Sequence, residues 1–160
     1  MMDGLALTAS MAPGAAAATD THMSYAAVYT GVEGLTVKLG TGDSGTKTAN
    51  VESTTMSASY AIGSFTVSAS NTEADKTGAA NREVTSYQVA YTVSEDLSVT
   101  YGTETFDLTG NAVDEEVTGL GVSYTTGGMT LSGAIINVEG AANVATADTD
   151  KLSLTAAFAF

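Results

Sequence analysis

The chain has 160 residues, within the range of one domain, and sets 5 Lys plus Arg against 18 Asp plus Glu, a formal charge of -13. That excess argues against phosphate backbones and anionic membrane surfaces as partners, so no nucleic-acid role follows, and the absence of cysteine excludes disulfides, thiolate nucleophiles and zinc-thiolate sites. With 26 Thr, 26 Ala, 17 Gly, 15 Ser, a single proline and one histidine (His22), the composition excludes multi-histidine metal sites, offers no apolar run near the roughly 20 residues of a membrane helix, and points to strands.

In chain order, Leu5, Leu7, Ala9 and Met11 alternate with Ala6, Thr8 and Ser10, which predicts a strand near 4–11. The opening MMDGLALTASMAPGAAAA has the apolar and small residues of a secretory leader but no Lys or Arg, and Asp3 is acidic, so it reads as a strand instead. GLAL there matches GLTV at Gly34 to Val37. Further strands are expected near 23–30, 35–40, 51–62, 65–71, 83–93, 97–106, 116–125, 129–138 and 151–160, ten in all. In each, one side is aliphatic and aromatic and the other small and hydroxylic: Met56, Ala58, Tyr60 and Ile62 against Ser57, Ser59 and Ala61, for example.

Four segments repeat within this series: AVYTGVEGLTV, SASYAIGSFTV, VAYTVSEDLSV and VSYTTGGMTL. Their tyrosines, Tyr29, Tyr60, Tyr91 and Tyr124, are 31, 31 and 33 residues apart, and each is followed by turn formers and a second apolar run. That is a hairpin repeated along the chain. The hairpins are joined by polar stretches at 12–22, 41–50, 72–82, 107–115 and 139–149, so tight turns are expected at one end of the strands and long loops at the other. Residues 1–160 read as one domain, with 1–22 holding the first strand and loop. A soluble β-sandwich or β-solenoid also alternates. Against it stand the tyrosines placed regularly beside the turns and a polar face poor in the Lys and Glu that coat a water-exposed sheet.

No catalytic constellation is present: Ser and Thr abound, but His22 stands alone in a loop as a base. GTGDSGT at Gly40 to Thr46 lacks the lysine and helix of a phosphate loop. No cofactor is implied.

The chain ends LSLTAAFAF, with Leu152, Leu154, Ala156, Phe158 and Phe160 on one face. This resembles the terminal strand of bacterial outer-membrane β-barrels, where the last aromatic belongs to the signal read by the barrel-insertion machinery; Phe160 is the matching residue. With the tyrosine-turn repeats, the segment from Met23 to Phe160 is similar to the C-terminal part of a Gram-negative general porin of alphaproteobacterial type. The resemblance implies an all-β, antiparallel, up-and-down transmembrane β-barrel of about ten strands in the bacterial outer membrane. It implies a water-filled pore for passive diffusion of small hydrophilic solutes and ions. Its implied partners are lipid, lipopolysaccharide, the insertion machinery and two sister subunits of a homotrimer. It puts the short turns in the periplasm and the long acidic loops outside the cell. The alternatives are a self-contained small barrel and a secreted β-rich surface protein, each with a structural or adhesive role.

Elementary physics agrees with a barrel, because strands survive in hydrocarbon only when closed and a spanning strand needs roughly 9–11 residues. Tyr29, Tyr60, Tyr91, Tyr124 and Phe158 occupy equivalent places before the tight-turn end and suit the headgroup layer. Ten strands with Ser, Thr, Ala and Gly toward the lumen would underfill a narrow barrel, so a larger barrel lacking roughly six strands of about 16 is expected. In general porins the constriction comes from a long loop in the N-terminal half. Thirteen of the 18 acids, Asp20 among them, lie in or beside the long loops; solvation is the favoured role, ahead of holding divalent cations that bridge lipopolysaccharide or drawing cations to the mouth. Alternation puts Lys38, Gln88, Glu104 and Lys151 toward the lumen as pore-lining candidates, with Lys38 and Glu104 the first choices for charge selection.

Overall fold

A computed structural model describes residues 3–14, 21–46 and 48–159 of the chain; Phe160 and Asp20 lie outside the described residues. Ten strands run in chain order: β1 Leu5–Ala12, β2 His22–Tyr29, β3 Leu35–Thr46, β4 Ala49–Ile62, β5 Phe65–Lys76, β6 Arg82–Ser94, β7 Leu97–Leu108, β8 Glu115–Thr126, β9 Met129–Glu139 and β10 Thr149–Phe158. Each pairs antiparallel with the next in one up-and-down sheet, β1 and β10 forming its edges. The segment 4–11 is thus a strand, β1, joined to β2 by eight residue pairs from Leu5↔Tyr29 to Ala12↔His22.

The sheet is a single layer, and among the described residues no hydrophobic side chain is buried. Its most exposed large apolar strand residues share one face: Leu7 is 73% exposed, Met56 57% and Leu154 85%. A water-soluble protein gains most of its stability by removing such surface from water, and this sheet leaves it for another medium to cover. The opposite face carries Thr36, Ser57, Ser59, Ser68, Ser70 and Ser86, and there the sheet wraps a trough of about 610 Å³ reaching from β3 to β9.

Connections at one end are short. Gly63–Ser64, Glu95–Asp96 and Gly127–Gly128 each join two strands with two residues, as the flanking pairs Ile62↔Phe65, Ser94↔Leu97 and Thr126↔Met129 show. Gly127 (φ 53°) and Gly128 (φ 83°) are both left-handed, the requirement of a type I′ turn whose twist matches that of the strands. The β6–β7 hairpin absorbs a register shift between Thr92 and Ser94, a bulge beside its turn.

The expected loops at 41–50 and 72–82 are mostly strand. Asp43↔Glu52 through Thr46↔Ala49 continue the β3–β4 ladder, and Glu73↔Glu83 and Ala74↔Arg82 continue β5–β6. One connection at the long-loop end, between Thr46 and Ala49, is therefore as short as the turns opposite. Hydrophobic alternation fades here because both faces are wet, but backbone pairing needs no apolar face. Threonine hydroxyls add to it across the strands, Thr41 to Thr54 at 3.2 Å and Thr55 to Thr72 at 3.1 Å.

The Gly127–Gly128 turn gives a test. A Cβ at Gly127 meets nothing within 4 Å, so any loss on substitution comes from its positive φ alone. Gly127→Val should lower stability by about 1–2 kcal/mol and Gly127→Asn by much less, measured by urea unfolding of the folded protein; equal losses would mean the turn tolerates a right-handed residue.

Candidate functional site: a two-faced wall

Cross-strand pairs share a face, so the register extends into transverse rows. One inner row runs Lys38–Ser57–Ser70–Ser86–Glu104 and on to Val117. The adjacent inner row runs Ser68–Gln88–Gly102–Gly119–Ile136–Lys151. Lys38, Gln88, Glu104 and Lys151 therefore lie on the same face, in two neighbouring rows, all exposed. Lys38 and Glu104 are four strands apart, about 19 Å along the sheet. Ser86 Oγ donates to Glu104 Oε2 at 2.7 Å, which holds that carboxylate against the wall. Gly102 and Gly119 sit side by side between Gln88 and Ile136 and leave the trough open there.

On the outer face the rows disclose a tilt. Tyr29 is in register with Ala58, two residues short of Tyr60. Tyr60 is in register with Val89, two short of Tyr91; Tyr91 with Val122, two short of Tyr124; Tyr124 with Ala156, two short of Phe158. Every two strands the aromatic steps two residues, or one residue per strand. With about 3.3 Å per residue and about 4.8 Å between strands, the five aromatics come level when the strands tilt by about 35°, at the edge of the 35–45° range of transmembrane barrels.

Eight residues from Tyr60, Tyr91, Tyr124 and Phe158 along the same strands, on the same face, stand Glu52, Glu83, Glu116 and Asp150. They form a second line parallel to the first. The strip between the lines is about 22 Å high at that tilt, close to the roughly 25 Å apolar band of outer-membrane barrels. Midway stand Met56, Tyr87, Leu120 and Leu154, all exposed. A pattern of acid, Thr, large apolar, small apolar and Tyr at alternate positions, as in Glu52-Thr54-Met56-Ala58-Tyr60, Glu83-Thr85-Tyr87-Val89-Tyr91 and Glu116-Thr118-Leu120-Val122-Tyr124, encodes the strip. Counting only the tyrosines finds one of its edges and misses the other.

The acids at the second edge are paired across strands: Asp43–Glu52–Asp75, Glu73–Glu83–Asp107 and Glu116–Glu139 form three outward rows. Asp150 faces the same way and accepts from Asn137 Nδ2 at 2.8 Å. At the end of the first row an Asp43 carboxylate oxygen lies within hydrogen-bond distance of His22 Nδ1, at 2.9 Å. His22 is thus tied to a carboxylate rather than standing alone in a loop.

At the same end the inner face differs. Lys76 is in register with Val51 and Arg82 with Leu108, both inward positions the sequence reading left in loops. Arg82 lies over the Phe106 ring at 4.5 Å. The β9–β10 connection leans over this corner. Asn143 Nδ2 donates to the carbonyls of Phe106 and Val113, both at 3.1 Å, and the Ala142 N–H donates to the inward Glu115 carboxylate at 2.6 Å. These bonds hold Ala142 and Asn143 in left-handed conformations that cost such residues about 1 kcal/mol or more. The result is a fixed ledge on the inner side, in the stretch 139–149 that the sequence marks only as a polar connection.

Depth and face can be checked together. Met56→Lys, outward at mid-height, should cost about 2–4 kcal/mol; Glu52→Lys at the edge about 0–1 kcal/mol; and Ser57→Lys, inward, should be mild. Folding titrations into lipid vesicles measure all three, and equal losses at Met56 and Ser57 would remove the distinction between the faces.

A family model of Gram-negative porins matches residues 1–160. Among solved structures, the chain is similar to a porin refined at 1.8 Å resolution, with 21% identity and a TM-score of 0.76 over 100% of this chain and 59% of that one. It is also similar to an anion-selective porin from Comamonas acidovorans, with 15% identity and a TM-score of 0.73 over 87% of this chain and 46% of that one. The chain thus spans little more than half of the first structure and less than half of the second. Among curated proteins none matches the sequence. On the whole-length match, together with ten tilted strands of the same architecture as those porins, the chain belongs to the Gram-negative porin family.

Proposed function

We propose that this chain forms part of the wall of a water-filled outer-membrane pore through which small hydrophilic solutes and ions diffuse passively. The observation that carries the reading is the two-solvent sheet: an outward apolar strip about 22 Å high backed by a concave hydroxyl face. Neither face is covered by protein, and each suits a different medium, lipid outside and water inside. Family membership supports the outer-membrane location and a channel rather than an enzyme. It also favours a pore over a self-contained barrel or a secreted surface protein.

In this reading the aromatic line lies in the inner headgroup layer, with the short turns periplasmic. The acid line faces the headgroups of lipopolysaccharide, with the longer connections extracellular. Lys38, Gln88, Glu104 and Lys151 line the passage. Ser, Thr and Gly on the inner face underfill a ten-stranded barrel, so the sheet belongs to a wider one, and further strands pair with the edges β1 and β10. The homotrimer and the insertion machinery as partners rest on the resemblance of the repeats and of the terminal strand.

Liposome swelling tests the reading. Vesicles holding the porin purified from outer membranes should swell in small sugars, at rates that fall with solute size. No swelling, or swelling indifferent to size, would sink it.

Phe160 is proposed as part of the insertion signal. Its deletion should lower the amount of porin assembled in the outer membrane of cells, while protein refolded from urea into vesicles keeps its stability. Unchanged assembly in cells would count against that role.

A further inference from the structure

The formal charge of -13 suggests a pore that prefers cations. The register distributes that charge unequally between the faces. Nine strand acids, the three outward rows with Asp150, all face away from the trough. Lys38, Lys76, Arg82 and Lys151 all lie on the trough's side of the sheet, and Lys38 lines the trough itself. Only Glu104 and Glu115 among the strand acids share their side, at inward positions paired with Ser86 and Phe106. Four cations against two acids leave the described inner strand face with a positive balance. Among the described residues none of the four cations lies within ion-pair distance of a carboxylate; the one close contact of that kind joins His22 and Asp43. Both inward acids accept hydrogen bonds, Glu104 from Ser86 and Glu115 from Ala142, which anchor them to the wall.

We infer that this wall favours small anionic solutes over cationic ones, against the sign of the chain's net charge. This rests on the pore reading above and names the class of solute. The physical reason is range. Charges on the outer side of the wall are separated from the water column by the sheet and screened over about 8–10 Å of salt solution, whereas charges inside a narrow aqueous path act at close quarters. Lys38 shares its row with Glu104 and Lys151 shares the neighbouring row with Gln88, each pair four strands apart on the hydroxyl wall. Lys76 and Arg82 stand at the long-loop end of their strands, and the Arg82 guanidinium lies over the ring of Phe106, whose carbonyl accepts from Asn143.

The test is the zero-current potential of the native porin in planar bilayers under a potassium chloride gradient. The expected sign is that of chloride preference. Lys38→Glu with Lys151→Glu should move the potential toward the potassium side, and Glu104→Gln should move it further toward chloride. Glu52→Gln with Glu83→Gln, on the outer face, should leave it in place although the pair removes twice as much negative charge as Glu104→Gln. Potassium preference in the native porin, or a shift caused by the outer pair and not by the lysines, would overturn the inference while leaving a pore. Absence of any channel would overturn the pore reading and this inference with it.

Discussion

Every structural feature of this chain depends on the need to pair its backbone where no water can do so. In hydrocarbon an open N–H or C=O costs several kcal/mol, and an antiparallel ladder satisfies both along its whole length. The chain meets that need with consecutive hairpins, each strand bonded to the one before and the one after. A sheet built this way requires no second layer and no core, and among the described residues no hydrophobic side chain is buried. The side chains are then free to answer to two media at once, which is why alternation is so regular where one face meets lipid.

Tilt follows from the same ladder. A fixed two-residue step of the aromatics per hairpin makes the residues that are level in the membrane different from those that are paired. Glu52, Glu83, Glu116 and Asp150 obey the same step, so the two lines enclose a strip of constant height. Like charges directly opposite one another, as in Asp43–Glu52–Asp75, are unfavourable in a sheet. In the proposed pore they stand at the membrane edge, where water and counter-ions screen them, and they end the apolar strip sharply. The inner face is released from that role, and the cations and the glycines Gly102 and Gly119 shape a wet trough instead.

The common face of Lys38, Gln88, Glu104 and Lys151 was legible because parity alone assigns a face once a strand is recognised, and it needed only their neighbours in sequence. Lys76 and Arg82 were missed for a physical reason. Their strands continue past the acid line, where the outward residues are charged and Val51, Phe106 and Leu108 lie inward, so hydrophobic period no longer marks the outer face. The acid line was missed because its members look like loop charges one at a time; they become a line only when compared at a fixed eight residues from each aromatic. Asn143 was beyond reach, since its partners, the carbonyls of Phe106 and Val113, are 37 and 30 residues away.

The sequence by itself determined the ten strands, their facing, the turns at Gly63, Asp96 and Gly127, and the membership of small hydroxyl residues on one side, because these are local consequences of period-two alternation and of turn chemistry. Tertiary structure alone decided the register, and through it the tilt, the height of the apolar strip, which charges share a row, and the fold of the Ala141–Asn143 turn over the inner face. Alternation repeats every two residues and is the same after any shift by two, so the choice among such registers falls to the turns and the cross-strand contacts between residues distant in the chain.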